Sequence, residues 1–175
     1  MAAIEAIATT YLEAATATVT FSSLPQTYEH LQIRVSGRHT SSGGGGSSIY
    51  IRFNGDTTGY ETHTMQGYNG NNTNTDRYAD QGYVYAGGRI TGPLTPKATN
   101  YGASVIDILD YANANKHTTM TQMSGTVKDY ESGSYIWWGA SLWEDTSAVT
   151  SILLYPASGD WERGTSLALY GLNSS

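Results

Sequence analysis

In the segment Leu31-Gln32-Ile33-Arg34-Val35-Ser36, apolar and polar side chains alternate strictly. A period of two is typical of a β-strand that lays one face on a hydrophobic core and the other in water. Residues 17–22 and 49–54 repeat this alternation. Antiparallel sheets tolerate such half-exposed strands and all-parallel sheets do not. The sequence therefore predicts antiparallel sheets.

Turn-forming residues divide the rest of the chain into further strand candidates. Strands at this spacing, with turns between them, indicate a sandwich or a barrel. We therefore predict an all-β fold, a two-sheet antiparallel β-sandwich with little helix. The further strands are predicted at 103–110, 118–127, 135–143, 149–155 and 166–172.

The apolar positions of the predicted strands define an expected core. The predicted core comprises Val19, Phe21, Leu31, Ile33, Val35, Ile49, Ile51, Phe53, Ile152, Leu154, Leu167 and Leu169.

Three regions are less regular. Residues 67–92 form the longest predicted irregular region, with at most one short strand near Tyr83–Tyr85. The glycine run 43–46 and the Asn-rich segment 69–74 are predicted to be mobile and solvent-facing. Residues 4–12 fit a strand or a short helix, so residues 1–16 are either an N-terminal docking arm or an edge strand of the sandwich.

Composition excludes several classes of protein. The chain of 175 residues fits a single domain, 1–175, and has a net charge of −6 with only nine Lys and Arg. Nucleic-acid binding would need a basic surface, so it is not expected. No apolar run is long enough for a membrane helix, and residues 1–5 do not resemble a secretory signal. The absence of cysteine excludes disulfides and thiolate metal sites.

No catalytic, cofactor or metal site is predicted, and the chain is not expected to be an enzyme. The four histidines lack the close spacing of common metal-ligand pairs. Asp107 and Asp110 are three residues apart, which places them on opposite faces of a strand. A polysaccharide-cleaving enzyme that uses Asp107, Asp110 or Glu61 remains an alternative, because such enzymes work with paired carboxylates.

The aromatic segment at 135–143 suggests a contact surface. Tyr135, Trp137 and Trp143 fall on one face of the predicted strand, and Ile136, Trp138, Ala140 and Leu142 fall on the other. Both faces cannot be core in a two-layer sandwich unless something covers the outside. A loop of the same chain, a sugar or another subunit could provide that cover. The candidate interface residues are Tyr135, Trp137, Trp143, Met1 and Ile4.

Four motifs resemble small structural proteins of tailed bacteriophages, including phages of cyanobacteria and other aquatic bacteria. They occur in order and extend over most of the chain. They are Val19-Thr-Phe-Ser-Ser-Leu-Pro-Gln-Thr-Tyr-Glu-His-Leu-Gln-Ile-Arg34, Arg52-Phe-Asn-Gly-Asp56, Val105-Ile-Asp-Ile-Leu-Asp-Tyr111 and Leu167-Ala-Leu-Tyr-Gly-Leu172.

This resemblance implies a jelly-roll-like sandwich in a virion, with no catalytic residues. The chain lacks heptads and solenoid repeats of a fibre shaft, so the favoured role is a capsid decoration (cement) protein. Such a protein would be made in the host cytoplasm, form a homotrimer and clamp neighbouring major capsid subunits at the capsid surface. The alternative is a head- or tail-fibre module that binds a host glycan.

Overall fold

The computed structural model describes residues 4–42, 46–68, 72–86, 90–92, 100–127 and 134–173. Among them there is no helix with the length and apolar character needed to cross a membrane. The described residues form twelve strands, which are β1 Ile4–Tyr11, β2 Val19–Phe21, β3 His30–Gly37, β4 Ile49–Phe53, β5 Tyr60–Tyr68, β6 Asn72–Gln81, β7 Val84–Tyr85, β8 Gly102–Leu109, β9 Thr118–Thr126, β10 Tyr135–Trp143, β11 Ile152–Pro156 and β12 Ser166–Leu172.

The strands form two antiparallel sheets. The large sheet has eight strands in the order β1-β12-β3-β8-β9-β10-β5-β6, and the small sheet has four in the order β2-β11-β4-β7. The predicted antiparallel β-sandwich is therefore confirmed. We call the side of the large sheet that packs on the small sheet the inner face, and the opposite side the outer face.

The core lies between the two inner faces. All twelve predicted core residues are buried and belong to one hydrophobic cluster, so this prediction is confirmed. Ile33 on β3 and Phe53 on β4 are fully buried. Tyr60, Trp143 and Trp161 add the bulk of three large rings to the same core.

The prediction of an irregular region at 67–92 is wrong in its first half. β5 and β6 pair there as antiparallel neighbours, and β6 forms one edge of the large sheet. Most side chains of β6 are exposed on both faces, so the strand lacks the alternation by which strands such as β3 and β4 were recognised. The predicted short strand corresponds to β7, which pairs with β4. Asn72–Asn74 therefore begin a strand, whereas residues 43–45 and 69–71 lie outside the described part of the chain.

The N-terminal segment is an edge strand of the sandwich. β1 pairs with β12 from Ile4↔Leu172 to Tyr11↔Ser166, with an irregularity in register between Ala6 and Ala8. The helical alternative for residues 4–12 is therefore wrong. β-Branched residues in this segment and the long partner strand explain the outcome.

Candidate functional site

The two tryptophans proposed as interface residues are buried within the chain. Trp143 stacks on Tyr60 at 6.2 Å between ring centroids and meets Phe53 edge-on at 5.5 Å. Trp137 lies edge-on to Tyr85 at 6.4 Å. Neither ring is exposed in a single chain, because the odd-numbered residues of β10 point to the inner face.

Two of the remaining candidate interface residues, Tyr135 and Ile4, lie on different parts of the large sheet. Tyr135 is partly exposed and stacks on Tyr68 of the neighbouring strand at 5.9 Å. Ile4 is exposed on β1, and four strands separate β1 from β10 in the large sheet. Met1 lies outside the described residues.

The exposed apolar surface is instead the outer face of the large sheet. Of the seven large hydrophobic side chains that are exposed among the described residues, five lie there on or beside β5, β9 and β10. Val127 and Ile136 are exposed to 76% and 71%, and Trp138, which has the largest side chain of the five, is exposed to 60%. We call this group the outer-face patch; it consists of Met65, Met123, Val127, Ile136 and Trp138.

The centre of the outer-face patch is a row of cross-strand neighbours. Trp138 on β10 lies directly opposite Met65 on β5 and Met123 on β9. Met123 in turn lies opposite Val105 on β8. Directly opposed side chains in a sheet stand about 5 Å apart at their Cβ atoms, so these four form one continuous apolar strip.

A second row of residues makes the surface of the patch uneven. Ile136 lies between Gly67 and Gly125, its cross-strand partners on either side. A Cβ atom at Gly67 would meet nothing within 4 Å, so the isoleucine projects alone from the sheet. A depression of about 460 Å³ lies beside Ile136, and another of about 380 Å³ lies beside Trp138.

Charged groups lie at the rim of this surface and not at its centre. Arg77 Nη2 donates to Glu61 Oε2 at 3.0 Å, next to the shallow recess that Ala140 and Leu142 line. Trp138 and its cross-strand neighbours carry no charge. An apolar centre with a polar rim is the usual anatomy of a protein–protein interface.

Sequence reasoning missed this patch because the inner face beneath it is polar. Gln122 Nε2 donates to Ser141 Oγ at 2.9 Å and to the Tyr85 carbonyl at 2.8 Å. Ser141 Oγ donates to Thr62 Oγ1 at 3.0 Å. These buried hydrogen bonds replace part of the expected apolar core. Alternation shows which residues share a face, but here hydrophobicity does not show which face is inside.

The acidic side chains considered for catalysis do not come together. Asp107 accepts a hydrogen bond from Gln32 Nε2 at 2.8 Å on the outer face. Asp110 follows β8 in a left-handed conformation, with φ of 51°, and accepts a hydrogen bond from Lys116. That hydrogen bond lowers the pKa of Asp110. Each of these carboxylates has its own partner within the chain, and Glu61 likewise pairs with Arg77. Such separate pairs are typical of carboxylates that stabilise the fold.

One group of possible metal ligands has partners within the chain. His30 Nδ1 lies 3.6 Å from an Asp110 carboxylate oxygen, and His30 Nε2 lies 3.9 Å from Glu29 Oε1. His30 Nδ1 also accepts the Asp110 backbone N–H at 3.0 Å, and the Lys116 ammonium neutralises Asp110. We assign the group a structural role at the turn after β8.

A cluster of tyrosines covers part of the small sheet. Tyr50 stacks on Tyr83 at 3.8 Å and meets Tyr85 and Tyr155 edge-on at 4.9 and 5.5 Å. Burial and hydrogen bonds with Tyr85 and Tyr83 raise the pKa of Tyr50. Because these rings pack on one another, they form a rigid cover for the sheet.

Comparison with known proteins gives no identification. No protein-family model matches the sequence, and no curated protein matches it. Scytalido-glutamic peptidase with a peptide-based transition-state analogue has a TM-score of 0.29 and 8% identity; the match covers 91% of this chain and 65% of the peptidase chain. The chain thus spans less than two thirds of that structure.

Two other solved structures are similarly distant. Botulinum neurotoxin type C, described as dependent on two ganglioside molecules for cell entry, has a TM-score of 0.24 and 7% identity over 96% of this chain and 44% of its own. The exoplasmic/lumenal domain of VIP36, in a Ca²⁺/Man3GlcNAc-bound form, has a TM-score of 0.24 and 8% identity over 95% of this chain and 78% of its own. Likenesses at these scores support no statement about function.

Proposed function

We propose that the chain is a structural protein of a tailed-bacteriophage virion that decorates the capsid. In this role it clamps neighbouring subunits of the major capsid protein by non-covalent contacts. The sequence motifs support the phage setting, and the outer-face patch supports a binding role. The patch is the observation that carries the proposal.

The chemistry of the patch suits a protein partner. Trp is among the residues that contribute most to interface energies, and Met adapts its shape to a partner surface. Burial of apolar surface contributes about 25 cal/mol per Å² before the costs of association. Trp138 between Met65 and Met123 is therefore the expected anchor, and the recesses beside Trp138 and Ile136 would receive apolar side chains of the capsid subunit.

The proposal places the protein on the capsid surface after synthesis in the host cytoplasm. A homotrimer that forms on the capsid is part of it, on the strength of the resemblance alone. Trp137 and Trp143 give a trimer no support, because each is buried by its own chain.

The test is attachment to capsids of the phage that encodes the chain, prepared without it. Wild-type protein should bind at a copy number that scales with the number of capsid subunits. Trp138→Ala should bind much more weakly, while Leu153→Ala, on the far side of the small sheet and partly exposed, should bind like wild type. Both variants should keep the wild-type melting temperature within a few degrees. A wild-type copy number of a few per particle, or unchanged binding by Trp138→Ala, would contradict the proposal.

A glycan-binding module is the second candidate, favoured by one observation. The exposed indole of Trp138 borders a depression that polar side chains, among them His63, Thr75 and Thr121, also line. A ring face beside polar groups can hold a sugar by stacking and hydrogen bonding. Binding of the wild type, but not of Trp138→Ala, to host-surface glycans on an array would support this role instead.

A further inference from the structure

The two edges of the large sheet differ in charge. The β6 edge carries Asp76, Arg77 and Asp80, whereas Glu5 is the single charged residue of β1. Charged side chains on an edge strand discourage pairing with another chain, and an uncharged edge invites it. β6 is thus protected in the usual way and β1 is not.

Glu5 does not protect the β1 edge as fully as a free carboxylate would. It pairs in register with Gly171, on the inner side of the sheet, and accepts a hydrogen bond from the Tyr28 hydroxyl. The Tyr28 ring occupies the space above Gly171, where a Cβ atom would approach it to 2.3 Å. The carboxylate is therefore held toward the chain's own tyrosine.

The register irregularity in β1 brings its two large apolar side chains to one face. Ile4 pairs with Leu172 and Tyr11 pairs with Ser166, and both partners belong to the outer-facing set of β12. Residues seven positions apart in a regular strand would face opposite sides. The extra residue between Ala6 and Ala8 removes that difference, so Ile4 and Tyr11, 49% and 59% exposed, stand at the two ends of one face.

We propose that β1 pairs antiparallel with β1 of a second copy of this chain, about a twofold axis at the level of Ile7 and Ala8. Ile4 of each copy then lies opposite Tyr11 of the other, and Glu5 lies opposite Thr10. The pairing covers the exposed apolar side chains of this strand. It also keeps the Glu5 carboxylates of the two copies apart, because each lies opposite Thr10. The same patch serves both subunits, as a twofold contact requires.

The contact involves one strand of eight residues, so it is small by the standards of permanent dimers. We expect a reversible dimer whose population rises with concentration. A crowded particle surface would favour it, because neighbouring copies are held at high effective concentration.

Sedimentation equilibrium over a range of concentrations is the first test. The mean mass of the wild type should rise from 18.8 kDa toward twice that value. The double variant Ile4→Lys/Tyr11→Lys places ammonium groups opposite each other and should stay at the mass of one chain. Both positions are exposed, so its melting temperature should match that of the wild type.

Disulfide trapping tests the register of the pairing. The sequence contains no cysteine, so any disulfide must form between the introduced residues. Oxidised Ile4→Cys/Tyr11→Cys should form a covalent dimer. The control Thr73→Cys/Ala79→Cys puts two exposed thiols on one face of the protected β6 edge and should remain mostly monomeric.

β1 pairing does not depend on the proposed function, and different measurements would contradict the two proposals. A wild-type mass that stays at one chain, or a three-chain mass without cross-linking at β1, would overturn it. Equal cross-linking at both edges would also do so. Loss of capsid binding by Trp138→Ala with intact β1 pairing would leave both proposals standing.

Discussion

The indole Nε1 of Trp143 donates a 3.0 Å hydrogen bond to Oδ2 of Asp56, which ties the buried end of β10 to the turn after β4. The other carboxylate oxygen accepts hydrogen bonds from the backbone N–H groups of Thr57 and Thr58 and from the Thr58 hydroxyl. One carboxylate thus satisfies a core tryptophan and shapes a turn at the same time. The Trp143 hydrogen bond, with those from Thr58 and Thr57, lowers the pKa of Asp56.

Asp56→Asn should therefore destabilise the protein in a pH-dependent way. The amide offers only one acceptor oxygen, so either Trp143 or the turn loses its partner, at a cost of about 1–3 kcal/mol near pH 7. Because the folded pKa lies below the ordinary value of 3.8, this stabilisation is present above that pH and is lost as pH falls through the folded pKa.

The check is the difference in melting temperature between wild type and Asp56→Asn as a function of pH. The difference should be constant near neutrality and should shrink in acid. Asp160→Asn, at an exposed carboxylate, serves as the control and should show little difference at any pH. A constant Asp56→Asn difference into acid would contradict the assignment.

Truncation of Ile33 to Ala should cost about 2–5 kcal/mol in the free energy of unfolding, because a fully buried side chain leaves a cavity. Phe53→Ala should lie in the same range or above it. Ile136→Ala, on the outer face, should cost less than about 0.5 kcal/mol. Chemical denaturation of the three variants measures this, and a loss at Ile136 comparable to that at Ile33 would mean that the faces are reversed.

Gly171→Ala should be destabilising because its Cβ would approach the Tyr28 ring to 2.3 Å. Overpacking of this kind typically costs about 1–3 kcal/mol. Gly67→Ala is the matched strand control, since a Cβ there meets nothing within 4 Å. Thermal melts should show a clear loss for the first variant and almost none for the second.

Glu162→Gln should destabilise far more than Glu61→Gln, although both remove an ion pair with an arginine. Glu162 Oε2 pairs with Arg38 Nε at 2.5 Å, and the Arg38 side chain is only 3% exposed. Removing one partner of a fully buried pair costs about 3–5 kcal/mol, and an exposed pair contributes about 0–1 kcal/mol. Because the Glu162 side chain is 35% exposed, we expect a loss between these limits for Glu162→Gln. Arg77, the partner of Glu61, is largely exposed. Similar unfolding free energies for the two variants would refute this difference.

The fold was predictable wherever a strand has one apolar face. β3 and β4 carry clear alternation, and their predicted core residues are all buried. β6 was not predictable in this way, because a sheet edge exposed on both faces imposes no hydrophobic period. Its pairing with β5 depends on long-range packing and hydrogen bonds that one segment does not reveal.

For the candidate surface, the sequence predicted which residues of β10 share a face but not which face is exposed. The sequence separates Trp137 and Trp143 from Ile136 and Trp138, and the structure keeps that separation. The choice of inner face depends on neighbouring strands, where buried Thr62 and Gln122 form hydrogen bonds. Those bonds are a property of the assembled sheet.

The contrast between the two edges of the large sheet also limits how far the sheet can grow. A second copy added at β1 leaves a β6 strand at each end of the joined sheet, and both ends carry Asp76, Arg77 and Asp80. Addition therefore terminates after one step. A sheet with two uncharged edges would accept copies without end and elongate into a fibre.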